Sequence, residues 1–238
     1  MTTILTDRAL NRATLARQAL LEPADVGAAD LIARFAGLQA QDVTTPYVTL
    51  WTRLARFVPE DLQGLLETGA VLRVPLWRNT IHHVTAADFE RFYALSREGG
   101  NYRPKIVRDL PDPDGVATAA RALLADEPRN MAALGRALAE HFPGEDEFAL
   151  AYAARRALPF RHLPPCGFWM RGAAPLIGLW DGVGTELERE ALVRRYLAAF
   201  GPASVADAQY FAGVTRLGPT FAALREELVT FENERGVE

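Results

Sequence analysis

The sequence predicts a mostly α-helical protein interrupted by short β-hairpins. Three observations carry this reading. Apolar residues recur at helical spacing in short stretches along the chain; residues 70–84 are instead dense in β-branched and aromatic residues; and prolines and glycines fall mainly between these stretches. At 238 residues the chain exceeds one ordinary domain of ~100–200 residues, which leaves room for two or three small units. Its 49% hydrophobic and 24% charged residues are those of a globular chain and exclude intrinsic disorder.

In chain order, Asn11 to Leu21 and Ala28 to Gln39 read as two short helices, the second with Leu31, Phe35 and Leu38 on one face. Gln39 to Pro46 is polar and closes on proline, the mark of a turn. Leu50, Trp51, Leu54 and Phe57 restart a helix, and Pro59-Glu60-Asp61 opens a fourth, with proline in its first turn and acids at the positive end of its dipole. Residues 70–84 predict a β-hairpin with arginines at its rim. Thr85 to Asp88 then starts a helix running to about Arg97, in a capping-box-like pattern.

The order recurs. Val116 to Asp126, Asn130 to Phe142 and Phe148 to Leu158 are helical, followed by possible strands between Phe160 and Trp180. Thr185 to Glu188 and Ser204 to Asp207 read as caps of two further helices, Pro219 opens another, and Val229 to Phe231 is a candidate first wing strand. Helices followed by a two-stranded hairpin suggest winged helix-turn-helix units in tandem, with boundaries at 1–108, 109–182 and 183–238. Linkers fall at 101–115 and 182–184, and the third unit stops at Glu238 without an obvious second strand.

Charge is unevenly placed. The formal net charge of -4 argues against a nucleic-acid partner, but its distribution argues the other way. Residues 71–108 carry seven basic residues against three acids, and residues 148–175 carry Arg155, Arg156, Arg161 and Arg171 with no acid. Such blocks can form a basic surface on an acidic protein; fluctuation in a chain of 25 arginines is the competing explanation. Lys105 is the sole lysine, so nearly every cation is a guanidinium suited to bidentate phosphate contacts.

Several classes find little support. The first 21 residues mix Asp7, Arg8, Arg12 and Arg17 into their apolar positions and read as neither signal peptide nor membrane span, so a cytoplasmic location is expected. Cys166 is the only cysteine, which excludes an intrachain disulfide. There are two serines and no nucleophile elbow, no phosphate-binding glycine loop and no metal-ligand spacing. His82 and His83 are consecutive in a predicted strand and so face opposite ways, which rules them out as a metal pair. No metal or cofactor is expected.

The most informative local feature is Leu38-Gln39-Ala40-Gln41-Asp42. In an extended or turn segment, residues two apart point the same way, so the neutral amides of Gln39 and Gln41 can hold one small polar group such as water between them. By themselves the two glutamines equally well end a helix and satisfy backbone groups.

Collinear motifs weigh against that plainer reading. Leu15-Ala-Arg-Gln18 is followed by Ala36-Gly-Leu-Gln-Ala-Gln41, Pro46 and Arg53; then come Arg78-Asn-Thr-Ile-His82 with Val84 and Asp88, His162-Leu-Pro-Pro-Cys-Gly-Phe-Trp169, and Phe200-Gly-Pro-Ala-Ser204 with Asp207. This series, spread from about residue 10 to 230, resembles the winged-helix DNA-binding protein family of AlkZ-type and YcaQ-type bacterial DNA glycosylases. The resemblance implies three tandem winged helices around double-stranded DNA. It also implies hydrolysis of the N-glycosidic bond of N7-alkylated purines, with unhooking of interstrand crosslinks in some members, at a Gln-x-Gln or Gln-x-Asp signature. Gln39 and Gln41 match the first form and are the expected catalytic pair.

The same resemblance nominates Arg53, Arg78, Thr80 and His82 as DNA-binding residues, and the basic blocks add Arg155, Arg156 and Arg161. Asp42 is a weaker candidate for proton acceptor, because the residue adjacent to Gln41 in an extended segment faces away. Two features depart from the pattern: the chain stops short of the family's usual length, and Asn79 stands where glycine is common, a mild change because asparagine tolerates left-handed conformations. A non-catalytic winged-helix DNA-binding or regulatory protein is the alternative, and a protein-interaction module a third reading. Oligomeric state is not legible.

Overall fold

The computed structural model of the chain describes residues 3–98, 110 and 112–237. The expected linker at 101–115 therefore lies largely outside the described residues, as do Arg103, Lys105 and Arg108 of the first basic block.

The N-terminal third runs β1 (Thr3–Leu5), α1 (Asp7–Arg17), α2 (Ala28–Arg34), β2 (Leu38–Gln39), α3 (Thr45–Trp51) and α4 (Pro59–Thr68). It closes on the hairpin β3 (Val71–Pro75) and β4 (Ile81–Thr85), followed by α5 (Ala86–Glu98). The hairpin, α4 and α5 stand where the sequence places them, and Thr85 Oγ accepts the Asp88 amide at 3.2 Å to cap α5. The second helix ends earlier than its apolar pattern suggests. Ala36 (φ 53) and Gly37 (φ 104) take left-handed conformations that reverse the chain, and a Cβ on Gly37 would lie 3.2 Å from the His83 carbonyl. Gln39 thus lies in a strand rather than in the last turn of a helix.

Three helices follow, α6 (Pro113–Asp126), α7 (Met131–His141) and α8 (Glu147–Ala157), then β5 (Phe160–His162) and β6 (Ile177–Leu179). Asp112, Asn130 and Asp146 cap the three helices through their side chains. The last part holds α9 (Arg189–Phe200), α10 (Val205–Ala212), α11 (Gly218–Ala223) and β7 (Phe231–Asn233). Ser204 and Asp207 form the expected capping box of α10. The Thr185 cap does not form, since α9 begins only at Arg189 with Glu188 at its N-cap. Nor does β7 enter a wing; it pairs in parallel with β1 at the other end of the chain, Thr3 opposite Phe231.

The two hairpins share one antiparallel sheet of order β2-β4-β3-β5-β6, joined where Arg73 of β3 stands opposite His162 of β5. Three buried clusters surround it. Leu31, Leu38, Leu50, Leu62 and Val71 form one, with Phe168. Leu134, Leu138, Leu150, Phe160 and Ile177 form the second. The third packs Leu72, Val74 and Val84 against Phe89, Phe92, Leu192 and Val193, so the first hairpin and α9 share a core. A charged contact reinforces that junction: Arg195 of α9 reaches the buried Asp88 carboxylate at 2.9 Å and also donates to the Ala33 carbonyl.

Candidate active site

β2 is an edge strand of two residues, and its position is set by what flanks it. Trp77 Nε1 donates to the Ala36 carbonyl at 2.8 Å, which ties the turn before β2 to the tip of the hairpin. Leu38 pairs with His83 and Gln39 with His82. Beyond the ladder, the Ala40 amide donates to the Ile81 carbonyl at 2.7 Å, while the Ile81 amide donates to Gln41 Oε1 at 3.1 Å. Exposure alternates accordingly: Gln39 and Gln41 are exposed and Ala40 between them is fully buried. The two amides flank the buried Ala40, Gln39 on the strand and Gln41 in the bend just beyond it.

His82 stands on the same face of the sheet as Gln39, because residues directly opposite in an antiparallel pair project the same way. Its Nδ1 donates to the Thr80 carbonyl at 2.9 Å, and burial pushes its pKa down to about 4. A neutral imidazole protonated at Nδ1 keeps Nε2 as an acceptor. Thr80 itself turns inward, its hydroxyl donating to the Trp77 carbonyl at 3.1 Å.

The hairpin tip carries the cations. Arg78 is exposed, adopts φ 53, and lays its guanidinium 5.2 Å from the ring centroid of the exposed Tyr210 on α10. Asn79 also has a positive φ, 58, so the residue that replaces glycine here does adopt the left-handed conformation. Its side chain donates to Tyr152 Oη at 3.0 Å and its carbonyl accepts Arg155 Nη2 at 2.9 Å, which fastens α8 to the tip. Thus Gln39, Gln41, Thr80, His82, Arg78 and Arg155 converge on one corner of the sheet.

The other nominated residues stand apart from that corner. Arg53 is engaged by Thr49 O, Thr52 Oγ and Gln18 Oε1, with its guanidinium 6.0 Å from the Phe35 ring. Arg161 lies over Trp180 at 5.1 Å. Arg156 is half-buried on α8, next in sequence to Arg155 but turned about 100° around the helix.

Asp42 has a local task. Its Oδ1 accepts the amides of Thr44 at 2.8 Å and Thr45 at 3.2 Å, and the Thr44 hydroxyl above all holds its pKa below the usual carboxylate value.

One residue that the sequence marks only as a member of the first basic block lies directly under the glutamines. Arg73 of β3 is buried, and its Nη2 donates to the Ala40 carbonyl at 3.0 Å. Its place between Leu72 and Val74, a cation in an otherwise apolar strand, is the sharper signal in the sequence.

With that geometry in place, sequence comparison identifies the class as the DNA glycosylases, enzymes that hydrolyse N-glycosyl bonds in DNA. Residues 32–238 match the family described as DNA glycosylase AlkZ-like, and the chain belongs to that family. Among solved structures, the fold is similar to Streptomyces sahachiroi DNA glycosylase AlkZ. The TM-score is 0.81 and the identity 17%, over 98% of this chain and 68% of that one. No curated protein matches the sequence. Among the described residues no helix is long and apolar enough to cross a membrane, and no group of three or more metal-ligating side chains occurs.

Proposed function

We propose that this DNA glycosylase hydrolyses the N-glycosidic bond of N7-alkylated purines in duplex DNA, and that Gln39 and Gln41 hold the attacking water. The observation that carries this is the exposed pair of amides on either side of Ala40, a residue held to the sheet at both its N–H and its carbonyl. Gln41 Oε1 is taken by the Ile81 amide, which leaves its Nε2 as a donor; the Gln39 amide has no protein partner among the described residues, so its oxygen is open as an acceptor.

An N7-alkylated purine already carries positive charge. As the bond to C1′ lengthens, the bonding pair moves onto the base, which leaves neutral, and the sugar develops oxocarbenium character. Little acid catalysis is needed; the task is to place water under C1′ and to turn dipoles toward the cationic sugar. The water oxygen then bonds to C1′ and its proton passes to solvent, since a glutamine accepts none at neutral pH. His82 Nε2, a neutral acceptor on the same face of the sheet as Gln39, adds a third dipole. An adduct that tethers both strands resists full flipping; Gln39 and Gln41 are exposed, which supports attack in an open site and hence crosslink unhooking as a second substrate class.

DNA is gripped by Arg78 and Arg155, with Thr80 and the hairpin tip against the backbone; Arg53, Arg156 and Arg161 contribute phosphate contacts farther out. The helices followed by hairpins in 1–108 and 109–182 are read as winged-helix units. Residues 183–238 form a third, in which β7 lies on β1 instead of completing a wing. The test is incubation with a duplex containing N7-methylguanine. Release of free base supports the reading, and tight binding without release favours a DNA-binding protein that has lost catalysis.

A further inference from the structure

Arg73 has surroundings that strand packing alone does not account for. It sits in the central strand of the sheet, 7% exposed, and among the described residues no carboxylate pairs with it. The groups around it are His83 and His162 on the neighbouring strands, Cys166, whose sulfur lies 3.6 Å from Nη1, and Arg155 farther out. Its Nε has no hydrogen-bond partner among the described residues. A buried guanidinium without a counter-ion is unfavourable, and an apolar residue would serve the core better. The segment 163–169 closes over it tightly: Gly167 has φ 101, and a Cβ there would lie 2.9 Å from Arg73 Cδ and 3.3 Å from His83 Nε2. Tyr47 Oη then donates to the Gly167 carbonyl at 2.9 Å and holds that segment down.

The strong hydrogen bond this arginine makes to the backbone is to the Ala40 carbonyl, the acceptor between the two glutamines. β2 is only two residues long and has a neighbour on one side alone, so its register is weakly held by the ladder itself. The Ala40 amide is fixed to Ile81, and Arg73 fixes the other end of the same residue.

We infer that Arg73 is a positioning residue for the reaction: its guanidinium clamps the Ala40 carbonyl and so sets the aim of the Gln39 and Gln41 amides without touching DNA. This rests on the Gln-x-Gln reading above. A misplacement of about 1 Å in a reacting group slows chemistry on the order of 10²-fold, so the clamp acts on rate rather than on binding.

The experiment measures single-turnover release of 7-methylguanine, DNA affinity and hydrogen exchange at the Ala40 amide for the wild type, Arg73→Met and Arg73→Lys. Circular dichroism checks that each variant folds. Arg73→Met should slow release by roughly 10–100-fold while DNA affinity changes by less than about twofold, and Arg73→Lys, which can still donate to the carbonyl, should recover part of the rate. In a Gln39→Ala, Gln41→Ala background, Arg73→Met should slow release no further, because it acts through those side chains. Additive slowing, or weakened DNA binding that accounts for the loss, overturns the inference. If the wild type releases no base, the glycosylase reading falls, and exchange alone decides: faster exchange at Ala40 in Arg73→Met upholds the clamp, and unchanged exchange overturns it.

Discussion

Gln41 Oε1 accepts the backbone N–H of Ile81 at 3.1 Å, so one amide of the Gln-x-Gln pair is built into the sheet edge while the other has no protein partner among the described residues. The two residues should therefore respond differently to truncation. Gln41→Ala removes the partner of the Ile81 amide and should lower stability by about 0.5–1.5 kcal/mol. Gln39→Ala should leave stability unchanged within about 0.5 kcal/mol. Urea unfolding of the two variants checks this.

Three imidazoles, His82 and His83 buried and His162 half-buried, make stability depend on pH. Burial pushes His82 down to about 4, and His83 and His162 down to about 3, from an ordinary 6.5. A histidine whose folded pKa is depressed binds its proton more readily when unfolded, so its contribution is fully present above pH 6.5 and is lost as pH falls toward 3–4. Unfolding free energy should be flat from about pH 8 to 7 and then fall by up to about 1.4 kcal/mol per pH unit for each histidine. Replacing His83, both of whose ring nitrogens lack partners among the described residues, with Gln should flatten that slope.

Asp42 is next to the glutamines and is the nearest carboxylate in sequence, yet its geometry is that of a turn. A general base is typically worth ~10²–10⁴-fold in rate, so Asp42→Asn, which still accepts the Thr44 and Thr45 amides, separates the two roles. It should retain base release within about threefold, whereas a loss on the 10²–10⁴ scale would make Asp42 the proton acceptor.

Much of this corner was legible in the sequence, and the exceptions have physical causes. The hairpin at 71–85 announces itself through its β-branched residues, and Asn79 through its tolerance of positive φ. Leu31, Phe35 and Leu38 keep helical spacing, which extends the predicted second helix to Gln39; Gly37, whose φ of 104 ends that run, is the signal against it. The parallel pairing of Thr3–Leu5 with Phe231–Asn233 joins the two ends of the chain, and no local pattern encodes so distant a partner. Arg73 reads in sequence as one more rim cation; its role depends on which carbonyl lies under it, which only the sheet register decides.

Arg78 is the exposed cation of the hairpin tip, on a left-handed turn and resting on Tyr210, and is proposed above to meet DNA. Arg78→Ala should weaken binding similarly for all sequences and reduce the slope of log affinity against log salt by about 1, the signature of one lost phosphate contact. Fluorescence anisotropy across a salt series measures this. An unchanged slope would remove Arg78 from the DNA surface.

The central claim is that Gln39 and Gln41 act on the bond-breaking step. Single-turnover release of 7-methylguanine, measured with DNA affinity, tests it most directly. Gln39→Ala and Gln41→Ala should each slow release by roughly 10²–10³-fold, as loss of a preorganised dipole does, with affinity within about twofold of wild type. Release at the wild-type rate from both variants, with the protein folded and DNA bound, would contradict the account.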